Sequence, residues 1–256
     1  MSFCSGCIDL KEIPGSPSGK TEKIAGLDAY VAPGSKKGTI LIAPDIYGLG
    51  ITNPKIVADK FAEQSGFTVW AVDYFKGDPI NPKDFVLPSK ASEGPPSEEA
   101  MGKNFGNFQE WMGKGHGFDE TFALIKPVIA EAKKNGPVGI VGYCYGGKTA
   151  VMAAKEKLID AFVLYHPSMV EADEAAQITV PVLINAAELD PLFGGEAKDT
   201  WFKTLKEKNL LDEASTTYPN TVHGFGARPD VNDEKVNESW KKSIAATTAF
   251  FGRVFA

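Results

Sequence analysis

An eight-residue segment at 142–149, with the sequence GYCYGGKT, fits two motifs that perform different chemistry. Written as G-x-x-x-x-G-K-T it is a P-loop, whose backbone N–H groups cradle nucleotide phosphates. Written as G-x-C-x-G it is a nucleophile elbow in which Cys144 replaces the usual serine. Both motifs occupy a strand–turn–helix, so the segment alone does not decide between phosphate binding and covalent catalysis.

The P-loop interpretation requires partners elsewhere in the chain. Lys148 would neutralise phosphates, Thr149 would hold Mg²⁺, and an acidic residue ending another strand would complete the metal site. Asp73 and Asp190 follow apolar runs and are the candidates for that acid. Two bulky tyrosines inside the segment stand where the backbone must approach phosphate closely. These tyrosines argue against a P-loop, but a nucleotide-binding protein stays open as an alternative.

The elbow interpretation requires an acid and a base in the chain order nucleophile, acid, histidine. Asp190 follows an apolar run 46 residues after Cys144, and His223 follows the next run 33 residues later. Each gap is about one strand–helix–strand unit, and the carboxyl ends of parallel strands meet at one edge of a sheet. Cys144, Asp190 and His223 are therefore expected to converge there as a catalytic triad.

Short apolar runs alternate with helical patterns along the chain. Strands are predicted at 29–32, 39–44, 67–73, 137–142, 161–165, 181–186 and 215–218. Helices are predicted at 54–64, 97–112, 118–134, 146–157, 196–208 and 232–251. Such alternation indicates an α/β fold with a mostly parallel central sheet and helices on both faces.

The domain organisation is predicted to be simple. Residues 1–24 lack periodicity and are expected to form a tail, and residues 25–256 are expected to form one α/β domain. Residues 76–117 are rich in Gly, Pro, Lys and Ser and too long for a plain crossover. We interpret 76–117 as a cap over the ligand site, with a solvated insertion as the alternative.

The chain resembles the dienelactone hydrolase family, which has the α/β-hydrolase fold, over roughly residues 25–251. The segments that carry the resemblance are GYCYGG at 142–147, LD at 189–190, HGF at 223–225 and APDIYG at 43–48. The resemblance implies Cys144 as nucleophile, His223 as general base and Asp190 as its orienting acid. It also implies an oxyanion hole made by the backbone N–H groups of Ile46 and Tyr145. The implied reaction is hydrolysis of a lactone or small carboxylic ester through a thioester acyl-enzyme, with no metal or organic cofactor.

Substrate contacts are implied less directly. Asp45 stands where the family often has a glutamate that partners the resting thiol, and is expected to take that role through a shorter side chain. The family's bacterial lactonases bind the substrate carboxylate with arginines. Arg228 lies near the matching place, and Lys76 would substitute for a second arginine as a point charge. Tyr47 and His166 are further candidates for lining the substrate pocket. Because these residues differ from those of the family, the sequence leaves open whether dienelactone itself is the substrate.

Aromatic residues around the site add to this expectation. We expect an apolar pocket lined by residues drawn from Phe3, Tyr47, Phe75, Phe105, Phe108 and Trp111. His116 lies in a glycine-rich loop and is expected to be solvated.

Composition limits the other functional classes. The 256 residues carry a net charge of −6 and no basic stripe, which argues against nucleic acid. Apolar runs are too short to span a membrane, and three cysteines without a leader pattern favour the cytoplasm. The isolated C-x-x-C at Cys4 and Cys7 is not expected to bind metal. A small-molecule substrate and a monomer or homodimer are expected, and a non-catalytic binding protein of the same fold stays open.

Overall fold

A single eight-stranded sheet forms the centre of the computed structural model, which describes residues 11–84, 93–94 and 97–256. The strands are β1 (Lys20–Ile24), β2 (Leu27–Ala32), β3 (Lys36–Ala43), β4 (Phe67–Val72), β5 (Val138–Tyr143), β6 (Ala161–Tyr165), β7 (Val182–Leu189) and β8 (Thr216–Val222). Their order across the sheet is β1-β2-β4-β3-β5-β6-β7-β8. Strand β1 is antiparallel to β2, and β2 is antiparallel to β4. The other six strands, β3 to β8, are parallel to one another.

Helices cover both faces of this sheet. They are α1 (Asn53–Ser65), α2 (Glu98–Trp111), α3 (Phe118–Ala132), α4 (Tyr145–Lys155), α5 (Gly195–Glu207) and α6 (Glu234–Val254). Side chains of a strand alternate between faces. Ile40 and Ile42 therefore pack in one core with α1 and α6, while Leu41 between them packs in the other with α3, α4 and α5. The predicted α/β architecture, mostly parallel with helices on both faces, is confirmed.

The prediction of a tail over residues 1–24 was too long. Strand β1 lies within it and pairs antiparallel with β2, from Lys20 opposite Val31 to Ile24 opposite Leu27. The sequence pattern did not predict β1 because four of its five side chains are exposed, so it has no apolar alternation. Backbone hydrogen bonds to β2 hold the strand in place. Ile13 is also packed down, and its N–H donates to the amide oxygen of Asn53 at 2.9 Å.

Residues 76–117 include α2, which begins after Ser97. The hydroxyl of Ser97 accepts a hydrogen bond from the N–H of Ala100, an N-cap that fixes the first turn. A π-helical turn at Met112–His116 follows the last residue of α2. The helix packs back on the body of the protein through Trp111, whose indole N–H donates to the carbonyl of Asp78 at 2.8 Å.

His116 is buried rather than solvated, contrary to the sequence prediction. Its imidazole stacks on Trp111, with ring centroids 4.6 Å apart, and its Nε2 lies 2.9 Å from the carboxylate of Asp78. Its carbonyl accepts a hydrogen bond from the hydroxyl of Tyr145 at 2.7 Å. His116 therefore links α2 to the helix that begins beside Cys144.

Candidate active site

Cys144 occupies a sharp turn between strand and helix. Strand β5 ends at Tyr143 and α4 begins at Tyr145, which leaves Cys144 alone between them. Its φ of 50° and ψ of −112° lie in a region that residues with a side chain rarely adopt. Such strain persists only where the surrounding structure enforces it, and it is the backbone geometry of a nucleophile elbow.

Glycines on either side allow this turn to close. A Cβ on Gly142 would collide with the carbonyl of Gly146, and a Cβ on Gly146 would collide with the carbonyl of Ala43. Strand β5 and helix α4 therefore approach more closely than any side chain would permit. The small residues two positions before and two after Cys144 are a steric requirement of the elbow.

The same geometry argues against a P-loop. A phosphate cradle needs a loop of several residues between strand and helix, whereas this turn contains one. Lys148 is bound to the carboxylate of Glu174 at 2.8 Å, and Thr149 is buried. Lys148 is therefore paired with a carboxylate and Thr149 lies in the protein interior, so neither side chain is placed to bind phosphate or Mg²⁺.

Asp190 and His223 meet next to Cys144 at the carboxyl edge of the sheet. Asp190 directly follows β7 and His223 directly follows β8. His223 Nδ1 donates to Asp190 Oδ1 at 2.8 Å, and that oxygen also accepts the N–H groups of Leu192 and Phe193 at 2.9 and 3.1 Å. Both side chains are buried, so the histidine is held in one orientation with Nε2 left for chemistry.

The surroundings of His223 favour its protonated form. Burial alone lowers its pKa, but the charges of Asp190 and Cys144 and the hydrogen bond to Asp190 outweigh burial and raise the pKa to about 10. Nε2 has no hydrogen-bond partner of ordinary geometry within the described residues, although Cys144 is close enough to act on it electrostatically. The arrangement can therefore store a proton taken from the thiol.

The thiol of Cys144 points to Ser168, a residue that the sequence analysis did not identify. Cys144 Sγ lies 3.6 Å from Ser168 Oγ, and the N–H of Ser168 donates to the carbonyl of Cys144 at 3.0 Å. Ser168 follows β6, two residues past His166, so the only signal in the sequence was its place just beyond a strand end.

The two predicted oxyanion donors flank this turn. Tyr145 is the first residue of α4, where an N–H has no partner within the helix, and Ile46 lies in the loop after β3. In the part of the chain that the structure describes, neither N–H is bonded to another group. The carbonyl of Ile46 accepts the N–H of Ile80 at 2.9 Å, which ties down its loop.

Asp45 bonds to Arg228 and the backbone rather than to the thiol, the partner expected for it. Asp45 Oδ2 accepts from Arg228 Nε at 3.1 Å, and Oδ1 accepts the N–H of Tyr47 at 3.1 Å. The guanidinium also lies over the Tyr47 ring, 4.6 Å from its centroid. Burial lowers the pKa of Arg228, but Tyr47 and Asp45 outweigh this effect and raise it, so the guanidinium remains charged. The shorter aspartate and the nearby arginine together explain the different partner.

Three residues expected to contact substrate lie elsewhere. His166 is fully buried beneath the site, with its ring centroid 4.9 Å from that of His223. Burial holds the pKa of His166 well below its usual value, so the ring is neutral. Tyr47 is buried under Arg228, and Lys76 is exposed on the turn after β4. None of these side chains lines the described cavity.

An open cleft of about 860 Å³, including the solvent space at its opening, lies above Cys144. Besides Asn104, its polar lining residues are Cys144, Ser168, His223 and Arg228. The remaining lining residues are Ile46, Met101, Asn104, Phe105, Phe108, Met169, Pro191 and Leu192. Phe105 and Phe108 were expected there, whereas Phe75 and Trp111 belong to the core instead. Phe3, Cys4 and Cys7 lie outside the described residues.

Residues 11–84, 93–94 and 97–256 contain no arrangement typical of a metal site or of a membrane-spanning helix. No group of three or more His, Cys, Asp or Glu side chains in these ranges is arranged to hold a metal ion. Their helices are all too short or too polar to cross a bilayer.

Known proteins resemble this chain in sequence and in structure. The family model for the dienelactone hydrolase family matches residues 27–255. Hydrolase pyvD of Aspergillus violaceofuscus is 28% identical, covering 96% of this chain and 95% of its own. Dienlactone hydrolase 1 of Gibberella moniliformis is 29% identical, covering 89% of this chain and 84% of its own.

Solved structures show the same fold. A putative dienelactone hydrolase from Klebsiella pneumoniae subsp. pneumoniae superposes with a TM-score of 0.62 at 19% identity, covering 87% of this chain and 92% of that one. The eight-stranded sheet, the elbow at Cys144 and the match over residues 27–255 agree with one another. The chain is a hydrolase-fold protein that belongs to the dienelactone hydrolase family.

Proposed function

We propose that this protein hydrolyses a lactone or small carboxylic ester by covalent catalysis on Cys144. One observation carries the proposal. The strained turn at Cys144 and the buried pair of His223 and Asp190, joined at 2.8 Å, face the same cavity. A nucleophile, a base and an acid that orients the base are the parts that covalent acyl transfer requires.

In the first half of the reaction, the thiol proton of Cys144 is held on His223 Nε2 and the sulfur attacks the ester carbonyl. The carbonyl oxygen becomes an oxyanion, which the N–H groups of Ile46 and Tyr145 stabilise. When the tetrahedral intermediate collapses, the carbon–oxygen bond to the alcohol breaks. His223 returns its proton to the departing oxygen, and a thioester remains on Cys144.

In the second half, water attacks the thioester and gives a proton to His223. The same two N–H groups hold the second oxyanion. The carbon–sulfur bond then breaks, the acid leaves and Cys144 is regenerated. Asp190 keeps Nδ1 of His223 protonated and its ring in place throughout, which makes Nε2 the site of proton transfer.

Mass spectrometry of the protein during turnover of p-nitrophenyl acetate tests the proposal. The wild-type protein should carry an acetyl adduct on Cys144 and release p-nitrophenol, and Cys144→Ala should do neither. Equal hydrolysis by both proteins would contradict the mechanism. If both fold normally and neither releases product, the chain acts instead as a non-catalytic binding protein of this fold.

A further inference from the structure

We infer that the pocket is built for an uncharged ester or lactone that carries an apolar group, and not for a substrate with an additional carboxylate. The inference rests on the proposed hydrolase function and specifies its substrate class. It draws on two separate features, namely the apolar walls of the cavity and the neutralisation of its one arginine.

One face of helix α2 forms part of the cavity lining. Met101, Asn104, Phe105 and Phe108 follow one another at helical spacing, and all four line the cavity. Side chains three and four residues apart share one face of a helix. Three of the four are apolar, so this face of α2 presents to the substrate a surface suited to hydrocarbon or aromatic groups.

Residues outside α2 add further apolar lining. Met169, Pro191 and Leu192 line the cavity next to the catalytic residues. Phe105, Met169 and Leu192 are 58%, 46% and 41% exposed, so large apolar side chains of the lining face water. A substrate group that covers them removes apolar surface from water, which favours binding.

Arg228 does not offer an unpaired positive charge to this pocket. Its Nε is bound to Asp45, which is only 1% exposed, and its guanidinium face rests on Tyr47. A substrate carboxylate beside Arg228 would place two anions around one cation in a poorly solvated site. Like charges so placed repel one another strongly.

Apart from His223, whose imidazole is paired with Asp190, the described lining contains no second cation for such a carboxylate. Lys76, the residue expected to supply it, is exposed on the turn after β4. Arg228 instead fixes Asp45, the neighbour of the oxyanion donor Ile46. The geometry thus assigns Arg228 a positioning role in this chain.

Two series of activated esters test the substrate class. We expect kcat/KM to rise from p-nitrophenyl acetate through butyrate to hexanoate, by up to about fourfold for each methylene that the walls bury. Mono-p-nitrophenyl glutarate is close in length to the hexanoate but ends in a carboxylate, and we expect its kcat/KM to be lower by about tenfold or more. A flat chain-length profile, or equal or better turnover of the glutarate, would overturn the inference.

Two leucines provide a matched pair of variants. Leu192 lines the cavity, whereas Leu189 is similarly exposed at 45% and does not. Leu192→Ala should lower the ratio of hexanoate to acetate turnover severalfold, and Leu189→Ala should leave that ratio unchanged. The same loss in both variants would show that the walls do not contact the acyl chain.

Asp45→Asn tests the charge argument directly. Removing the carboxylate leaves Arg228 unneutralised, so the ratio of glutarate to hexanoate turnover should rise by about tenfold. The ratio remains informative even if the variant is slower with every ester because Ile46 has moved. An unchanged ratio would mean that Asp45 does not control anion binding.

Acylation of Cys144 by p-nitrophenyl acetate separates this inference from the function on which it rests. If no ester forms an adduct on Cys144, the hydrolase proposal fails and the substrate class fails with it. If the adduct forms but the wild-type protein prefers the glutarate, only the substrate class is wrong.

Discussion

The sulfur of Cys144 lies 3.6 Å from the hydroxyl oxygen of Ser168, and a backbone hydrogen bond of 3.0 Å from Ser168 to Cys144 joins the same two residues. Ser168 therefore holds both the backbone and the side chain of the candidate nucleophile. Since Asp45 is bound to Arg228, the hydroxyl is the group against which the resting thiol lies. Once the thiol proton has moved to His223, the same hydroxyl can donate to the sulfur.

Replacing Ser168 by alanine should slow reactions of the Cys144 sulfur. The loss of one hydrogen bond of this kind corresponds to about threefold to tenfold in rate. The rate of alkylation of Cys144 by iodoacetamide at neutral pH, followed by mass spectrometry, measures it. Ser168→Thr keeps the hydroxyl and should retain most of the reactivity, and equal rates in the alanine variant and the wild type would exclude a role for the hydroxyl.

Asp190→Asn should reduce turnover far more than it reduces stability. The asparagine can still fill the site, but it no longer holds His223 with Nδ1 protonated, and loss of that tautomer costs about 10⁴-fold in kcat in a comparable triad. Hydrolysis of p-nitrophenyl acetate gives the rate, and thermal unfolding checks the fold. Glu196→Gln, an exposed acid at the start of α5, is the control and should be unaffected. A similar small loss in both variants would remove Asp190 from the mechanism.

The raised pKa of His223 makes stability depend on pH. In the unfolded chain a histidine loses its proton near pH 6.5, whereas in the folded protein the pKa of His223 is about 10. The contribution is therefore complete below about pH 6.5 and is lost as pH rises through about 10. Between these values the folded state binds the extra proton, so the free energy of unfolding should fall by up to about 1.4 kcal/mol per pH unit.

Urea denaturation at pH 6, 8 and 9.5 measures this slope. His223→Gln removes the titrating group and should flatten the profile relative to the wild type. Cys144→Ala removes one of the charges that raise the pKa of His223, so its profile should be intermediate. Parallel profiles in all three proteins would show that His223 is not protonated in the folded state over this range.

The parts of the site that the sequence could predict are those tied to strand ends. Cys144, Asp190 and His223 each follow a parallel strand, and β5, β6, β7 and β8 are adjacent in the sheet, so topology alone brings the three residues to one edge. Strand β1 was missed for the opposite reason. Its exposed side chains carry no periodic pattern, and only its backbone pairing with β2 reveals it.

Contacts between distant segments could not be predicted in the same way. Asp45 and Arg228 are 183 residues apart, and their ion pair depends on how two loops fold over the sheet edge. His116 was expected in solvent because its own segment is rich in glycine, whereas its burial depends on Trp111 and Asp78. Local sequence describes the propensity of a loop but not the surface against which it packs.

Gly146→Ala should destabilise the protein and distort the elbow, although alanine is ordinarily the better helix former. The added Cβ would collide with the carbonyl of Ala43, so β3 or α4 must shift, and overpacking of this kind costs about 1–3 kcal/mol. Gly252→Ala in α6 is the matched control, because its Cβ meets nothing within 4 Å and should be neutral or stabilise by up to about 1 kcal/mol. Urea denaturation of both variants gives the free energies of unfolding, and p-nitrophenyl acetate turnover reports on the elbow. If the two substitutions have the same effect, the close approach of α4 to β3 is not what requires glycine at 146.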